Sequence, residues 1–206
     1  MKKRFKSAAI LAGAAALTLC ACSEKQAESN NEATGNAAIE NIMTRASVRQ
    51  FTDRAIAPDT LETILKAGMA APTAMNKQPW DFVVVTERAM LDSLMAAHPY
   101  SNLKTATAAI IVCGNMQKAI EGEGQANWIL DCSAATENIL LAAHALGLGA
   151  VWCGVYPTAD RIAPVKATLK LPSYIIPLNI ISMGYPAGEN QPKDKWNPDN
   201  VHYQQW

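Results

Sequence analysis

After Ala38 the chain switches repeatedly between two apolar periods, and that alternation restricts it to folds that layer helices on a sheet. Phe82-Val83-Val84-Val85 and Ala109-Ile110-Ile111-Val112 are short unbroken apolar runs of the kind found in buried strands. Ala150 to Val155 and Tyr174 to Met183 read as two more strands. Pro177, which has no N–H to give, points to an edge or bulged position in the last of them. Stretches of helical spacing lie between. Pro58 suits the first turn of a helix over Asp59–Met69, which carries Leu61, Ile64 and Leu65 at helical spacing. Glu87–Ala97 and Asp160–Leu169 are further helices. The longest, Trp128–Leu146, aligns Ile129, Cys132, Thr136, Ile139, Leu140, Ala143 and Leu146, and Gly147 follows as a stop. The expectation is an α+β fold in which helices cover a sheet of unspecified strand order.

The N-terminus carries a different kind of information. Lys2, Lys3, Arg4 and Lys6 precede an apolar run from Ala8 to Leu19 that is too short to span a bilayer, which takes roughly 20 apolar residues. This is the layout of a secretory signal. Its end, Leu19-Cys20-Ala21-Cys22-Ser23, resembles a bacterial lipobox, with Cys22 the better acylation site because small Ala21 precedes it. Cleavage there would leave 185 residues and, with four basic and no acidic residues removed, turn a formal charge of zero into −4. A mildly acidic chain has no electrostatic footprint for nucleic acid. The polar stretch over residues 22–38 reads as a tether, and residues 39–206 as one folded domain. Beyond the signal only Cys113, Cys132 and Cys153 remain, an odd, widely spaced set that forms neither a disulfide framework nor a zinc pattern.

Two segments carry chemistry. In Arg45-Ala46-Ser47-Val48-Arg49-Gln50-Phe51, two guanidinium forks and a hydroxyl can converge on one anion, phosphate above all. Taken alone, such a stretch is more often a solvated helix end. Ala71-Pro72-Thr73-Ala74-Met75-Asn76-Lys77-Gln78-Pro79-Trp80 is a stiff, proline-bounded loop that holds a hydroxyl and an amide in fixed places. Gly147-Leu148-Gly149 does not make a dinucleotide fingerprint, because position 152 is Trp and the next glycine is Gly154; a helix stop explains it better. His98, His144 and His202 have no ligand or triad spacing.

Arg-x-Ser-x-Arg-x-Phe, Ala-Pro-Thr-x-x-Asn-x-Gln-Pro-Trp, Leu-Gly-Leu-Gly-Ala-Val-Trp-Cys-Gly-Val at Leu146–Val155 and Met-Gly-Tyr-Pro at Met183–Pro186 together resemble the nitroreductase family, in order and spacing, from about Ile39 to Trp206. The resemblance implies a mixed sheet covered by helices and an intertwined homodimer with FMN at its interface. It implies that Arg45, Ser47 and Arg49 hold the FMN phosphate and ribityl chain. Pro72, Thr73 and Asn76 would reach the flavin from the partner subunit, and the backbone of Gly154 and Val155 would lie near the reactive N5 position. Lys193 and Lys195 would complete the phosphate site, unless they are an ordinary exposed tail. The long helix would build much of the dimer contact. No side chain is assigned as an obligatory acid or base. NAD(P)H is the family's usual donor, with nitroaromatics or quinones as acceptors in a ping-pong two-electron cycle. A lipid-anchored protein beyond the inner membrane would not meet the NAD(P)H pool, so the anchor leaves the donor open. Two alternatives stand beside this: a specialised reductase such as a reductive dehalogenase, for which no Glu–Tyr–Lys lid is visible between Met90 and Gln125, and a flavin-binding lipoprotein without turnover.

Overall fold

The computed structural model describes residues 35–206; the expected signal sequence, Cys22 and most of the expected tether lie outside the described residues. The elements are helices α1 (Ala37–Thr44), α2 (Pro58–Met69), α3 (Arg88–Ala97), α4 (Asn127–Ala145) and α5 (Ala159–Leu169), and strands β1 (Trp80–Val85), β2 (Ala108–Asn115), β3 (Gly149–Gly154) and β4 (Ile175–Gly184). All four strands and the four expected helices fall where the periodicity places them. α1 is the addition. Asn36 caps it by accepting from the N–H groups of Ala38 and Ile39, the usual role of Asn at a helix start. None of its residues is buried, so it has no apolar stripe against its own core to betray it.

The sheet runs in the order β1-β2-β4-β3, and every strand pairing is antiparallel. The mixed element is a single parallel bridge, Ser47 to Ala150, laid along the outer edge of β3. Helices cover both faces. One core gathers Leu61 and Ile64 of α2 and Cys132, Ala135, Ile139 and Ala143 of α4 over Ile110, Val112 and Ile181. The other sets Leu91 and Leu94 of α3 and Val165 of α5 against Ile111, Cys153 and Ile180. Burial on two sides is why β2 reads as an unbroken apolar run, and all eight of its residues are buried. Ala135 and Ala143 are consumed by this core.

Pro177 corrects one expectation and meets its alternative. β4 is a central strand, not an edge. The pairing with β2 slips between Val112, opposite Asn179, and Cys113, opposite Pro177, leaving Leu178 as an extra residue. A bulge is where a ladder accepts a residue without an N–H. It also switches faces: Leu178 joins the α4 side and Ile180 the α3 side, although they are two apart.

α4 ends in a complete C-terminal lock. Gly147, at φ +74°, donates to His144 O at 3.0 Å, and Leu148 donates to Ala143 O at 2.9 Å. That pair of bonds is the Schellman pattern, whose left-handed residue costs glycine little. The chain then turns directly into β3. Gly149 has no room for a side chain: a Cβ there would lie 2.6 Å from Val48. Val48 therefore packs on the bare backbone at the start of β3 and donates to Ala150 O at 3.1 Å. Gly149→Ala is expected to push this segment off the strand. Overpacking of this kind costs about 1–3 kcal/mol. Melting temperature and FMN affinity should both fall, and an unchanged FMN affinity would show that Val48 does not seat the neighbouring arginines.

Candidate active site

The docked segment carries Arg45, Ser47 and Arg49 along the β3 edge. The C-terminal stretch returns to meet it. Thr52 N–H donates to Tyr185 O at 2.8 Å, and Ala187 N–H donates to Gln50 O at 3.0 Å, stitching residues 50–52 to 185–187. This brings Lys193 and Lys195 to the same place, so that Arg45, Ser47, Arg49, Asn190, Gln191, Lys193 and Lys195 line one open cleft of about 330 Å³. Lys193 and Lys195 are exposed, and they line the cleft together with the two arginines. Four cationic side chains and a hydroxyl around one concavity are a donor set for a phosphate dianion. Nothing in the spacing of Asn190 and Gln191 ties them to residues some 140 positions earlier. Arg45 Nε also lies 3.3 Å from Glu137 Oε1 on α4, which leaves the two terminal nitrogens of its fork uncommitted to that pair.

The far end of β3 supplies a different surface. Val155, expected with Gly154 to lie near the reactive position, is fully buried and donates its N–H to Leu178 O at 3.0 Å, so it has no free amide to offer a ligand. The same bond sets the alternation of the ladder. Residues 151, 153 and 155 direct their backbone groups at β4, and 150, 152 and 154 direct theirs at the free edge. The bond from Val48 to Ala150 O on that outer side agrees. The Gly154 N–H therefore faces outward along the edge that carries Ser47. Among the described residues, no heavy atom lies within 4 Å of where a Gly154 Cβ would stand. Ala150 and Gly154 are four strand steps apart, roughly 13 Å. A phosphate cluster at one end and an open amide-bearing edge at the other suit a long ligand with a phosphate tail and a flat polar head. FMN has that form.

Pro72, Thr73 and Asn76 do not line this cleft. Their loop leads into β1, at the opposite edge of the sheet. It is nonetheless rigidly built. Thr73 Oγ1 accepts from Gln78 N–H at 3.1 Å, Gln78 Nε2 donates to Asn76 Oδ1 at 3.0 Å, and Asp131 of α4 accepts from Ala74 N–H at 2.8 Å. Met75, Asn76 and Gln78 all adopt positive φ, near +50°. Backbone held this way in three of four consecutive residues is a feature of functional loops.

His98 is the residue that sequence spacing overlooked most plainly. It is 1% exposed, and its Nε2–H donates to the Gly154 carbonyl at 2.9 Å, since a carbonyl only accepts. Nδ1 is then a bare, buried acceptor with no partner among the described residues. Burial holds the imidazole pKa below its usual value and the nearby Arg161 charge acts in the same direction, while the bond to Gly154 opposes them. The unfolded chain therefore takes up this proton before the folded one does. The contribution to stability is complete above about pH 6.5 and is lost as the pH falls from there through the lowered value. Melting temperature should drop more steeply with acidification in the wild type than in His98→Gln. Parallel curves would contradict the assignment.

The three thiols are inert. Burial pushes Cys113 up to about 12 and raises Cys132 and Cys153 as well, so none offers a thiolate. Among the described residues no cluster of His, Cys, Asp and Glu could hold a metal, and no helix is long and apolar enough to cross a membrane.

Comparison with known proteins places this geometry in a class. The nitroreductase family profile matches residues 42–99 and 95–185. A protein of Methanothermobacter thermautotrophicus, provisionally named an NADH dehydrogenase/NAD(P)H nitroreductase, is 43% identical over 171 residues, covering 82% of this chain and 87% of that one. A crystal structure from Bacteroides thetaiotaomicron with the same provisional name superposes with a TM-score of 0.78 at 46% identity, covering 84% of this chain and all of that one. A nitroreductase-type protein from Desulfovibrio desulfuricans, solved with FMN, gives a TM-score of 0.72 at 27% identity, with 84% and 99% coverage. The chain belongs to the nitroreductase family.

Proposed function

We propose that this chain reduces small electron acceptors, nitroaromatics or quinones among them, in alternating half-reactions with NAD(P)H or another donor. It is a nitroreductase-family flavin oxidoreductase with FMN as its cofactor; the family match, the FMN-bound relative and the FMN reductase of Bacillus subtilis, 23% identical over 187 residues, support this. The observation that carries the site assignment is the single cleft in which Arg45, Ser47, Arg49, Lys193 and Lys195 meet. FMN supplies the two-electron chemistry. The chain supplies the grip on its phosphate, an outward N–H at Gly154 where negative charge develops, and a fixed frame that needs no reorganisation as charge appears.

The working unit is a homodimer. Pro72, Thr73 and Asn76 are preset for a ligand yet stand away from the cleft, so a second chain is needed to bring them to it. Ile39, Ile42 and Met43 on α1 and Leu130 on α4 leave apolar surface exposed for that contact. Trp196, Tyr203 and Trp206 on the exposed C-terminal stretch add to it. The lipobox reading makes the protein an exported, membrane-anchored lipoprotein acylated at Cys22. Labelling with a radioactive fatty acid that persists in Cys22→Ala would reject it.

The purified full-length chain should sediment at twice its own mass and carry flavin. Its flavin should bleach with NAD(P)H or a chemical donor and recover with a quinone or nitroaromatic. Stable flavin that no donor can cycle to an acceptor would favour a binding protein without turnover.

A further inference from the structure

Two side chains converge on the Gly154 carbonyl, and neither belongs to the ladder. His98 Nε2 lies 2.9 Å and Arg161 Nη1 3.1 Å from the oxygen. They arrive from separate elements: His98 closes the end of α3, and Arg161 sits in the first turn of α5. The turn after α3 also grips the preceding residue. Cys153 Sγ donates to Ser101 O at 3.1 Å, and Asn102 Nδ2 donates to Cys153 Sγ at 3.4 Å. Ser182 Oγ on β4 bonds to the same Ser101 carbonyl, tying this turn to the middle of the sheet.

This is more support than a strand end ordinarily needs. Glycine has the freest backbone of any residue, so an unsupported Gly154 would be the loosest point of β3. Yet its N–H, like those of Ala150 and Trp152, faces outward along the open edge, and it stands at the end of the strand away from the phosphate cleft. One of its two supports is wholly buried, and the other is a guanidinium that stays charged at any working pH. A charge within hydrogen-bonding distance of this backbone, in a partly buried setting, is screened far less than a surface charge.

Resting on the reading that the FMN ring lies along this edge, we propose that His98 and Arg161 are positioning residues for Gly154. Together they hold its peptide at one orientation, and Arg161 adds a fixed positive charge that favours the reduced, more negative state of the ring. Arg161 thereby tunes how readily the protein gives up electrons, without contacting the phosphate cleft.

The test is a reductive titration of the FMN-loaded full-length chain against a dye of known potential. Arg161→Gln should shift the equilibrium about tenfold toward oxidised FMN, which is roughly 30 mV for a two-electron couple. Its FMN dissociation constant should change less than threefold, because the phosphate donors are untouched. Arg161→Lys, which keeps the charge, should stay within threefold of wild type in potential. His98→Gln, which can still donate to the carbonyl, should do the same. An unchanged potential in Arg161→Gln, or a tenfold shift in Arg161→Lys, overturns the proposal. A wild-type chain that takes up no FMN overturns the flavin reading as well; a wild type that binds FMN while Arg161→Gln titrates identically overturns this one alone.

Discussion

Replacing Arg45 and Arg49 together by alanine is expected to weaken FMN binding by a factor of about a hundred to ten thousand while leaving the fold intact. Each guanidinium offers charge-assisted hydrogen bonds to phosphate, and a bond to a charged group contributes roughly 1.5–3 kcal/mol. Each 1.4 kcal/mol is about a factor of ten in affinity. Lys193, Lys195 and Ser47 remain in the cleft, so binding should fall without vanishing. The apo protein should hardly notice. The one ion pair lost joins Arg45 to a half-exposed Glu137, and such surface pairs contribute about 0–1 kcal/mol. Titration of apo protein with FMN, followed by quenching of flavin fluorescence, measures the first effect, and thermal melting without FMN measures the second. An affinity within threefold of wild type would remove the cleft from the account.

Gly114→Ala should produce the largest loss of stability. Gly114 lies in β2, directly beneath the Trp128 ring at the start of α4. A Cβ there would stand 2.3 Å from Trp128 Cε3, well inside contact distance. The ring cannot swing away freely, being 5% exposed and packed edge-on against Tyr156 at a centroid distance of 5.0 Å. Either β2 or the first turns of α4 must shift, at a cost of about 3 kcal/mol. For a chain of this size that lowers the melting temperature by roughly 6–12 °C. The shift would reach function too, because Asp131, one turn along α4, accepts the bond that fixes the Thr73–Asn76 loop. A melting temperature within 2 °C of wild type would mean that the Trp128 contact is slack.

Local pattern carried much of the architecture. β2 was legible because burial on both faces leaves no polar residue to alternate, and α4 because its apolar positions recur at helical spacing and end at Gly147. What pattern could not convey was pairing across the chain. The order β1-β2-β4-β3 depends on which strands share hydrogen bonds, and Pro177 looked like an edge signal because the bulge that shelters it exists only opposite Val112 and Cys113. The cleft was half visible. Arg45, Ser47 and Arg49 lie on one segment, whereas the link to Lys193 and Lys195 runs through backbone bonds between residues 50–52 and 185–187 that no residue type announces. Gly154 and Val155 looked equivalent in sequence; strand alternation separates them, sending one N–H outward and the other into the sheet. His98 stayed hidden because its partner is a backbone carbonyl, which leaves no trace in spacing.

Under the proposed function the phosphate of FMN sits in the cleft at Arg45, Ser47, Arg49, Lys193 and Lys195. Riboflavin has the same ring and sugar chain and lacks only that phosphate, so paired titrations of the apo full-length chain with FMN and riboflavin isolate it. Saturation at one FMN per chain and at least a hundredfold weaker binding of riboflavin are expected, with the difference shrinking in Arg45→Ala/Arg49→Ala. Equal affinities for the two ligands would contradict it.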